Sequence, residues 1–246
     1  MDCWLNVGIE GGACWPEKET EVEFGGHKLI LKPATKDTDQ SIHINLKGIN
    51  DIEAMTLINR FLSILSWCDD DGIINYGGGY GPPVPVSVPR KSRMIGSSIA
   101  FPFYRELSNN PKVKLALALY REGRTNNSIP VSFLIYFKIV NIFWNDRTDM
   151  KTGKNELVEG IRKNLHNVAD TLALERIKEL EKIQVDIPNY LYKDGRCAIA
   201  HAYKEPFVDP DESPDLYRLS ADLAIIKSLA EYLIEHKLGV SKSIIK

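Results

Sequence analysis

The stretch GRCAIAHA, residues 195–202, places an arginine, Arg196, five residues ahead of a histidine, His201. An arginine and a histidine at this spacing are compatible with a nuclease active site, but they also occur by chance in a structural helix. With the five histidines of this chain and three permitted gaps, chance gives about 0.7 such pairs. The spacing alone therefore does not decide between a nuclease site and a structural helix.

The residues between Arg196 and His201 favour a functional interpretation. Residues 197–200 are all small or apolar, so the arginine and the histidine are the polar members of a segment that we expect to be buried. Burying a guanidinium or an imidazole costs free energy unless the group has partners or a purpose.

On a regular α-helix these two side chains would diverge, because five residues turn the helix by about 140° and advance it by about 7.5 Å. A site shared with a second copy of the chain across a two-fold axis would remove this difficulty. In the competing structural interpretation, Arg196 pairs with an acid such as Asp222 and His201 satisfies a buried carbonyl group.

The other residues that often carry chemistry have structural interpretations. His27 lies in a predicted turn, His43 on the solvent side of a strand, His166 on a polar helix face and His236 in a last helical turn. The four cysteines contain no Cys-x-x-Cys pair and no histidine completes a zinc site, so neither a metal nor a cofactor is predicted. GGGYG at 77–81 lacks the Lys-Ser/Thr of a P-loop and is predicted to be a structural loop.

Strand patterns fill the chain up to about residue 48. TEVEF and KLILK flank a GGH turn, and SIHINLK alternates between apolar and polar residues. A helical period follows, where Asn50 and Glu53 form a capping box. The apolar stripe of this helix contains Ile52, Met55, Ile58, Leu62 and Leu65. Glycine and proline then dominate, and PPVPVSVP is expected to be extended.

Helical patterns replace strand patterns after Pro111. Five helices are predicted, at 113–124, 131–145, 156–184, 189–203 and 214–238. Short turns between them favour a helical bundle. The sequence thus predicts an α+β protein with a β-rich N-terminal domain, residues 1–108, followed by an α-helical domain, residues 109–246.

The composition of the 246-residue chain is typical of a soluble globular protein, with 43% hydrophobic and 26% charged residues. The net charge of -2 gives no general excess of basic residues, so any contact with RNA must be local. The most apolar segment, residues 129–144, is shorter than the roughly 20 residues that span a bilayer. Without a secretory signal or a disulfide pattern, we expect a cytoplasmic protein that does not contact a membrane.

Three stretches carry a resemblance to the methylamine-utilisation protein J family. They are residues 65–90, from LSWCDD to PVPVSVPR, residues 114–142, KLALALYREGRTNNSIPVSFLIYFKIVNI, and residues 196–202, RCAIAHA. The C-terminal half also resembles the HEPN superfamily, whose defining pattern is an arginine, four to six residues and a histidine. The second resemblance implies a HEPN-like helical bundle that pairs into a homodimer and, in active members, cleaves RNA without a metal ion.

The HEPN resemblance also implies roles for the two residues. Arg196 would hold the scissile phosphate, and His201 would protonate the departing 5′-oxygen while the 2′-hydroxyl of the RNA attacks. The product would carry a 2′,3′-cyclic phosphate.

Two features of the sequence count against this activity. Active HEPN members usually carry a polar residue directly after the arginine, where this chain has Cys197, a weak hydrogen-bonding group. Residues 186–215 also hold seven acidic against three basic residues, which repels an RNA backbone. The alternative is a non-catalytic dimerising module that binds a nucleotide or a partner, and the sequence leaves enzymatic activity open.

Overall fold

The chain is described by a computed structural model that covers residues 3–85, 107–201, 205–209 and 212–242. An antiparallel sheet is followed by helices, which confirms the predicted α+β class. The chain packs as two compact units, Met1–Thr125 with Lys242–Lys246, and Asn126–Ser241.

The first unit is built on a five-stranded antiparallel sheet with the strand order β2-β3-β4-β1-β5. The strands are β1 (Trp4–Gly11), β2 (Thr20–Phe24), β3 (His27–Lys32), β4 (Ser41–Asn45) and β5 (Ile73–Gly81). Strands β2 and β3 form the predicted hairpin. Gly25 and Gly26 provide its turn with φ angles of 59° and 78°, which glycine adopts at little cost.

Two predictions for this sheet are wrong. GGGYG is not a loop but part of β5, which pairs with β1. Glycine is usually depleted in strands, but here it allows a close approach, since a Cβ atom on Gly78 would lie 2.9 Å from the carbonyl oxygen of Asn6. His43 does not face solvent, because β4 is an interior strand whose first four residues are all buried.

Among its described residues the first unit also contains the helices α1 (Asp51–Asp69) and α2 (Pro111–Thr125). The predicted capping box at Asn50 is present. The ring of Phe61 in α1 meets a phenylalanine of β2 edge to face, with centroids 5.4 Å apart. Ile52 is 76% exposed, so its predicted place in the apolar stripe is wrong, because the first turn of the helix extends beyond the buried face.

Helix α2 packs against α1 and therefore belongs to the first unit. The sequence pattern places this helix in the predicted helical domain, residues 109–246. The division into domains of residues 1–108 and 109–246 stays a prediction. The extended segment expected around PPVPVSVP continues past residue 85, outside the described residues.

The second unit is helical. Its helices are α3 (Ile129–Asn141), α4 (Glu156–Asn164), α5 (Thr171–Lys182), α6 (Ile187–Tyr190), α7 (Ala198–Ala200) and α8 (Ser213–Tyr232). A 3₁₀ turn spans Leu165–Asn167, and π-helical turns span Leu191–Cys197 and Leu233–Lys237. Helix α8 packs against α3 and α5.

Two of the predicted helices are interrupted. The helix expected at 156–184 is two helices, α4 and α5, because Asp170 caps a new N-terminus by accepting a hydrogen bond from the backbone N–H of Ala173. The helix expected at 189–203 consists of α6, a π-helical turn and α7, and its last two positions lie outside the described residues.

The apolar segment at 129–144 forms α3, which is 13 residues long and lies in the core of the second unit. Phe133, Tyr136 and Phe137 are among its buried side chains. Across the described ranges of the chain, no helix is both long and apolar enough to cross a membrane.

Candidate functional site

The segment that carries Arg196 and His201 is not a regular α-helix. Arg196 belongs to the π-helical turn Leu191–Cys197, α7 adds only three residues, and His201 adopts extended backbone angles of φ −132° and ψ 111°. His201 is exposed and Arg196 is half-buried. The rotation of a regular α-helix therefore does not describe this segment, and π-helical turns are frequent at functional sites.

Gly195 allows this turn to lie against α3. A Cβ atom at Gly195 would come within 2.6 Å of the ring of Phe133, closer than side chains pack. The absence of a side chain therefore sets the distance between the turn and α3.

Asp146, in the segment after α3, is the main partner of Arg196. Nη2 of Arg196 lies 3.1 Å from Oδ2 of Asp146. The other carboxylate oxygen accepts hydrogen bonds from the Tyr192 hydroxyl at 2.7 Å and from Nδ2 of Asn155 at 2.9 Å. The acid that pairs with Arg196 is thus Asp146 and not Asp222.

Asn155 can hold Asp146 because it also begins α4. Its side-chain oxygen accepts from backbone N–H groups of the first turn, including that of Leu157 at 2.9 Å. This arrangement leaves its Nδ2 group to donate to Asp146. A β-bridge between Thr148 and Asn155 closes the loop that brings the two residues together.

Asp146 and Arg196 each stabilise the charged form of the other. Burial alone would raise the pKa of Asp146, but hydrogen bonds from Tyr192 and Asn155 and the charge of Arg196 outweigh burial and lower it. Burial and the hydrogen bond to Asp146 raise the pKa of Tyr192, which keeps its hydroxyl a donor. Burial opposes the charge on Arg196, but contacts with Cys197 and Asp146 raise its pKa. At neutral pH the site therefore contains a fixed cation and a fixed anion.

Two further contacts orient the guanidinium group of Arg196. Its Nη1 atom lies 3.7 Å from Sγ of Cys197, and its central carbon lies 5.8 Å from the centroid of the Tyr192 ring. Sulfur is a weak acceptor, so the first of these contacts is easily exchanged. The side chain of Arg196 remains 28% exposed.

A second charged cluster, which the sequence analysis missed, surrounds Asp222 in α8. The Asp222 side chain is 1% exposed and accepts from Nε of Arg176 at 2.9 Å and from the Tyr190 hydroxyl at 2.7 Å. Arg218 lies 3.5 Å from the same carboxylate. The signal in the sequence was an acid within the apolar stripe of α8, a position that requires buried partners. These contacts link α5, α6 and α8.

A third polar group lies within the sheet of the first unit. Nε2 of His43 is 2.9 Å from the Ser41 hydroxyl, and Nδ1 of His43 is 2.7 Å from Oδ1 of Asn6. Because Nδ2 of Asn6 donates to the carbonyl of Pro82, its Oδ1 atom faces His43 as an acceptor. The imidazole therefore carries its proton on Nδ1 and accepts from Ser41.

Ser41, His43 and Asn6 are hydrogen-bonded in the order of a catalytic triad. Ser41 and His43 are, however, both fully buried. A substrate cannot reach the hydroxyl, so this arrangement is a structural element of the sheet. Among the residues that the structure describes, no three His, Cys, Asp or Glu side chains are grouped closely enough to hold a metal ion.

Comparison with known proteins adds one family match. No curated protein and no solved structure matches the chain. The family model of methylamine utilization protein MauJ matches residues 116–235, which contain the Arg196 site and the Asp222 cluster. The resemblance to the HEPN superfamily stays a prediction. Over just under half of its length, this chain is therefore similar to methylamine utilization protein MauJ.

Proposed function

We propose that this protein is a metal-independent endoribonuclease in which Arg196 binds the scissile phosphate and His201 protonates the leaving 5′-oxygen. The observation that carries the proposal is the exposed His201 just beyond α7, five residues after an arginine whose position Asp146 and Tyr192 fix. A histidine that acts as an acid must reach its substrate, and a histidine in a packing role is normally covered.

The reaction requires little of the protein. The 2′-hydroxyl of the RNA loses its proton to solvent water and attacks the adjacent phosphorus. The bond from phosphorus to the 5′-oxygen breaks, and the imidazolium gives its proton to that oxygen. The guanidinium stabilises the negative charge that builds up on the phosphoryl oxygens. The products are a 2′,3′-cyclic phosphate and a 5′-hydroxyl.

The contacts of Arg196 suit this role. A phosphate oxygen is a far better acceptor than the thiol of Cys197, so the substrate displaces that weak contact at Nη1. Asp146 meanwhile keeps Nη2 in place. Asp146 is therefore a positioning residue for the cation, held in turn by Tyr192 and Asn155.

We further propose that the helical domain, residues 109–246, is HEPN-like and that the active form is a homodimer. A two-fold axis would bring the Arg196 and His201 residues of both copies into one cleft, where a single-stranded RNA passes. In such a site, the histidine of one copy can serve the phosphate that is bound by the arginine of the other.

A second candidate function is a non-catalytic homodimeric module that binds RNA or a nucleotide. The ion pair between Arg196 and Asp146 favours it, because the carboxylate offsets the charge with which the guanidinium would stabilise a transition state, while Nη1 can still donate to a bound phosphate. In this function the cleft would bind its ligand without cleaving it.

Both functions are tested by incubating the purified full chain with labelled single-stranded RNA in EDTA and analysing the product ends. The endoribonuclease is expected to leave cyclic-phosphate ends. We expect a loss of about 10²- to 10⁴-fold in His201→Ala and about 10²- to 10³-fold in Arg196→Ala.

His166→Ala and Arg162→Ala are matched controls in the same unit and should cleave as the wild type does. Cleavage that persists in His201→Ala contradicts the endoribonuclease proposal. Saturable RNA binding by a folded protein that leaves the RNA intact supports the binding module instead.

A further inference from the structure

Two aromatic rings and a carboxylate surround one ammonium group in the first unit. The rings of Trp67 and Tyr120 stand at 85° to each other with centroids 4.9 Å apart, and so form two walls of a corner. Nζ of Lys242 lies in this corner, 5.1 Å from the Trp67 centroid and 5.6 Å from the Tyr120 centroid. Oδ1 of Asp70 lies 3.7 Å from the same nitrogen. Both ring distances are within the range of cation–π attraction.

The backbone at the end of α1 is arranged to present this carboxylate. Asp70 is the residue that ends the helix, with left-handed backbone angles of φ 54° and ψ 36°. Glycine usually takes that position, and asparagine and aspartate are the other residues that enter it most readily. The Tyr120 hydroxyl donates to Asp70 and orients its carboxylate. Asp70 thus presents its carboxylate beside Tyr120 at the end of the helix.

The walls of the corner are rigid and its charge favours cations. Trp67 and Tyr120 are both fully buried, so the core of the first unit fixes their orientation. Asp69 and Asp71 flank Asp70 and add negative charge. Nε of Arg124 lies 3.7 Å from Oδ1 of Asp70, so the carboxylate faces two cations at once. Lys242 also lies over the faces of both aromatic walls.

We propose that Trp67, Asp70 and Tyr120 form a binding site for a primary alkylammonium ion, and that Lys242 is its intrachain occupant. Aromatic faces and a carboxylate are the groups that recognise an ammonium ion on a short apolar stem. A free alkylammonium ion presents the same group as the lysine side chain and competes with it. This ammonium site is independent of the proposed RNA cleavage, since none of its residues lies in the second unit.

The test is calorimetric titration of the purified full chain with n-butylammonium chloride, whose four-carbon stem matches that of lysine. Lys242→Met keeps an apolar side chain of similar length and removes the competing ammonium group. We expect saturable binding to Lys242→Met, about tenfold tighter than to the wild type, because the tethered lysine competes at high effective concentration. Lys237→Ala, which removes another lysine near the same terminus, is the matched control and should bind as the wild type does.

Two results would overturn the proposal. One is equal affinity of Lys242→Met and the wild type for n-butylammonium. The other is unchanged affinity when Asp70→Asn is added to Lys242→Met, because the carboxylate would then play no part. Titration with n-butanol at matched sodium chloride concentration should give no saturable heat, since the alcohol has the stem without the charge.

Discussion

At the scale of single residues, Asp146 decides what Arg196 can do. It gives the guanidinium a fixed position and also offsets its charge. We expect Asp146→Asn to lower the cleavage rate about tenfold while KM for RNA stays the same or falls, because a looser cation still attracts phosphate but no longer meets the transition state. Steady-state cleavage kinetics separate these two quantities.

The control for this variant is Asp186→Asn, which removes the same charge from a surface pair with Arg162 and should leave both kinetic constants unchanged. A higher kcat in Asp146→Asn would show that the carboxylate restrains the arginine and does not position it. That outcome would assign Asp146 an inhibitory role.

His43 makes the stability of the fold depend on pH. Burial lowers its pKa to about 4, helped by the charge of Lys32 and opposed by that of Glu19. Its pKa in the unfolded chain is near 6.5, so the unfolded chain takes up a proton first as the pH falls. The neutral histidine therefore supports stability fully above about pH 6.5, and that contribution is lost as the pH falls from there toward about 4.

We expect the free energy of unfolding in urea to fall by up to about 3 kcal/mol across this interval, from a pKa difference of roughly 2.5. His43→Gln should be less stable at pH 7 but should show a flatter profile between pH 6.5 and 4.5. His166→Ala, a variant of an exposed histidine, should keep the wild-type slope. If the free energy of unfolding of His43→Gln falls with pH as steeply as that of the wild type, His43 is not the cause of the pH dependence.

Residue types and spacing named Arg196 and His201, but they did not reveal what surrounds them. Asp146 lies 50 residues earlier, in a loop with no local feature that marks it, and only the packing of the second unit brings it to Arg196. His43 was placed on the wrong side because alternation separates the two faces of a strand without showing whether both are covered. Asp222 lies within an apolar stripe, where an acid requires buried partners, but the sequence does not show that these partners are Arg176 and Tyr190.

At the scale of elements, the π-helical turn depends on Gly195. An added methyl group would press on the ring of Phe133, so we expect Gly195→Ala to destabilise the protein by about 1–3 kcal/mol and to shift Arg196. Thermal unfolding measures the first effect and the cleavage assay the second.

Gly79→Ala is the matched control, because a Cβ atom there would meet nothing within 4 Å. Adding Phe133→Leu to Gly195→Ala should recover part of the loss by making room. If Gly195→Ala is as stable as the wild type, the contact with Phe133 does not limit how closely the turn packs against α3.

Elements with local signals were predicted well, and elements that depend on tertiary pairing were not. The capping box at Asn50 and the β2–β3 hairpin are properties of a few adjacent residues, so the sequence alone located them. Strand β5 is glycine-rich and exists because β1 supplies its hydrogen bonds. The π-helical turn that interrupts the helix predicted at 189–203 likewise depends on packing that periodicity does not encode. The cap at Asp170, which divides the helix predicted at 156–184, is in contrast a local signal that periodicity overlooks.

At the scale of the whole molecule, a single copy supplies little positive charge to the proposed site. Each copy offers one guanidinium that is already paired with a carboxylate, in a chain of net charge -2, and one exposed histidine. Two copies around a two-fold axis would place two guanidiniums and two imidazoles along one RNA strand. The dimer would therefore supply both the local positive charge and the distance between phosphate holder and proton donor.

The last prediction follows from a shared site. When the Arg196→Ala and His201→Ala proteins are mixed so that their subunits exchange, the mixture should show about a quarter of wild-type cleavage. Half of the dimers then contain one copy of each variant, and one of the two sites in each such dimer has both residues. Sedimentation at increasing protein concentration should show the dimer directly, and each variant alone should stay inactive. If the mixture stays as inactive as its components although mixed dimers form, arginine and histidine of one site come from the same copy. The π-helical turn would then have to direct both side chains at one phosphate without help from a second chain.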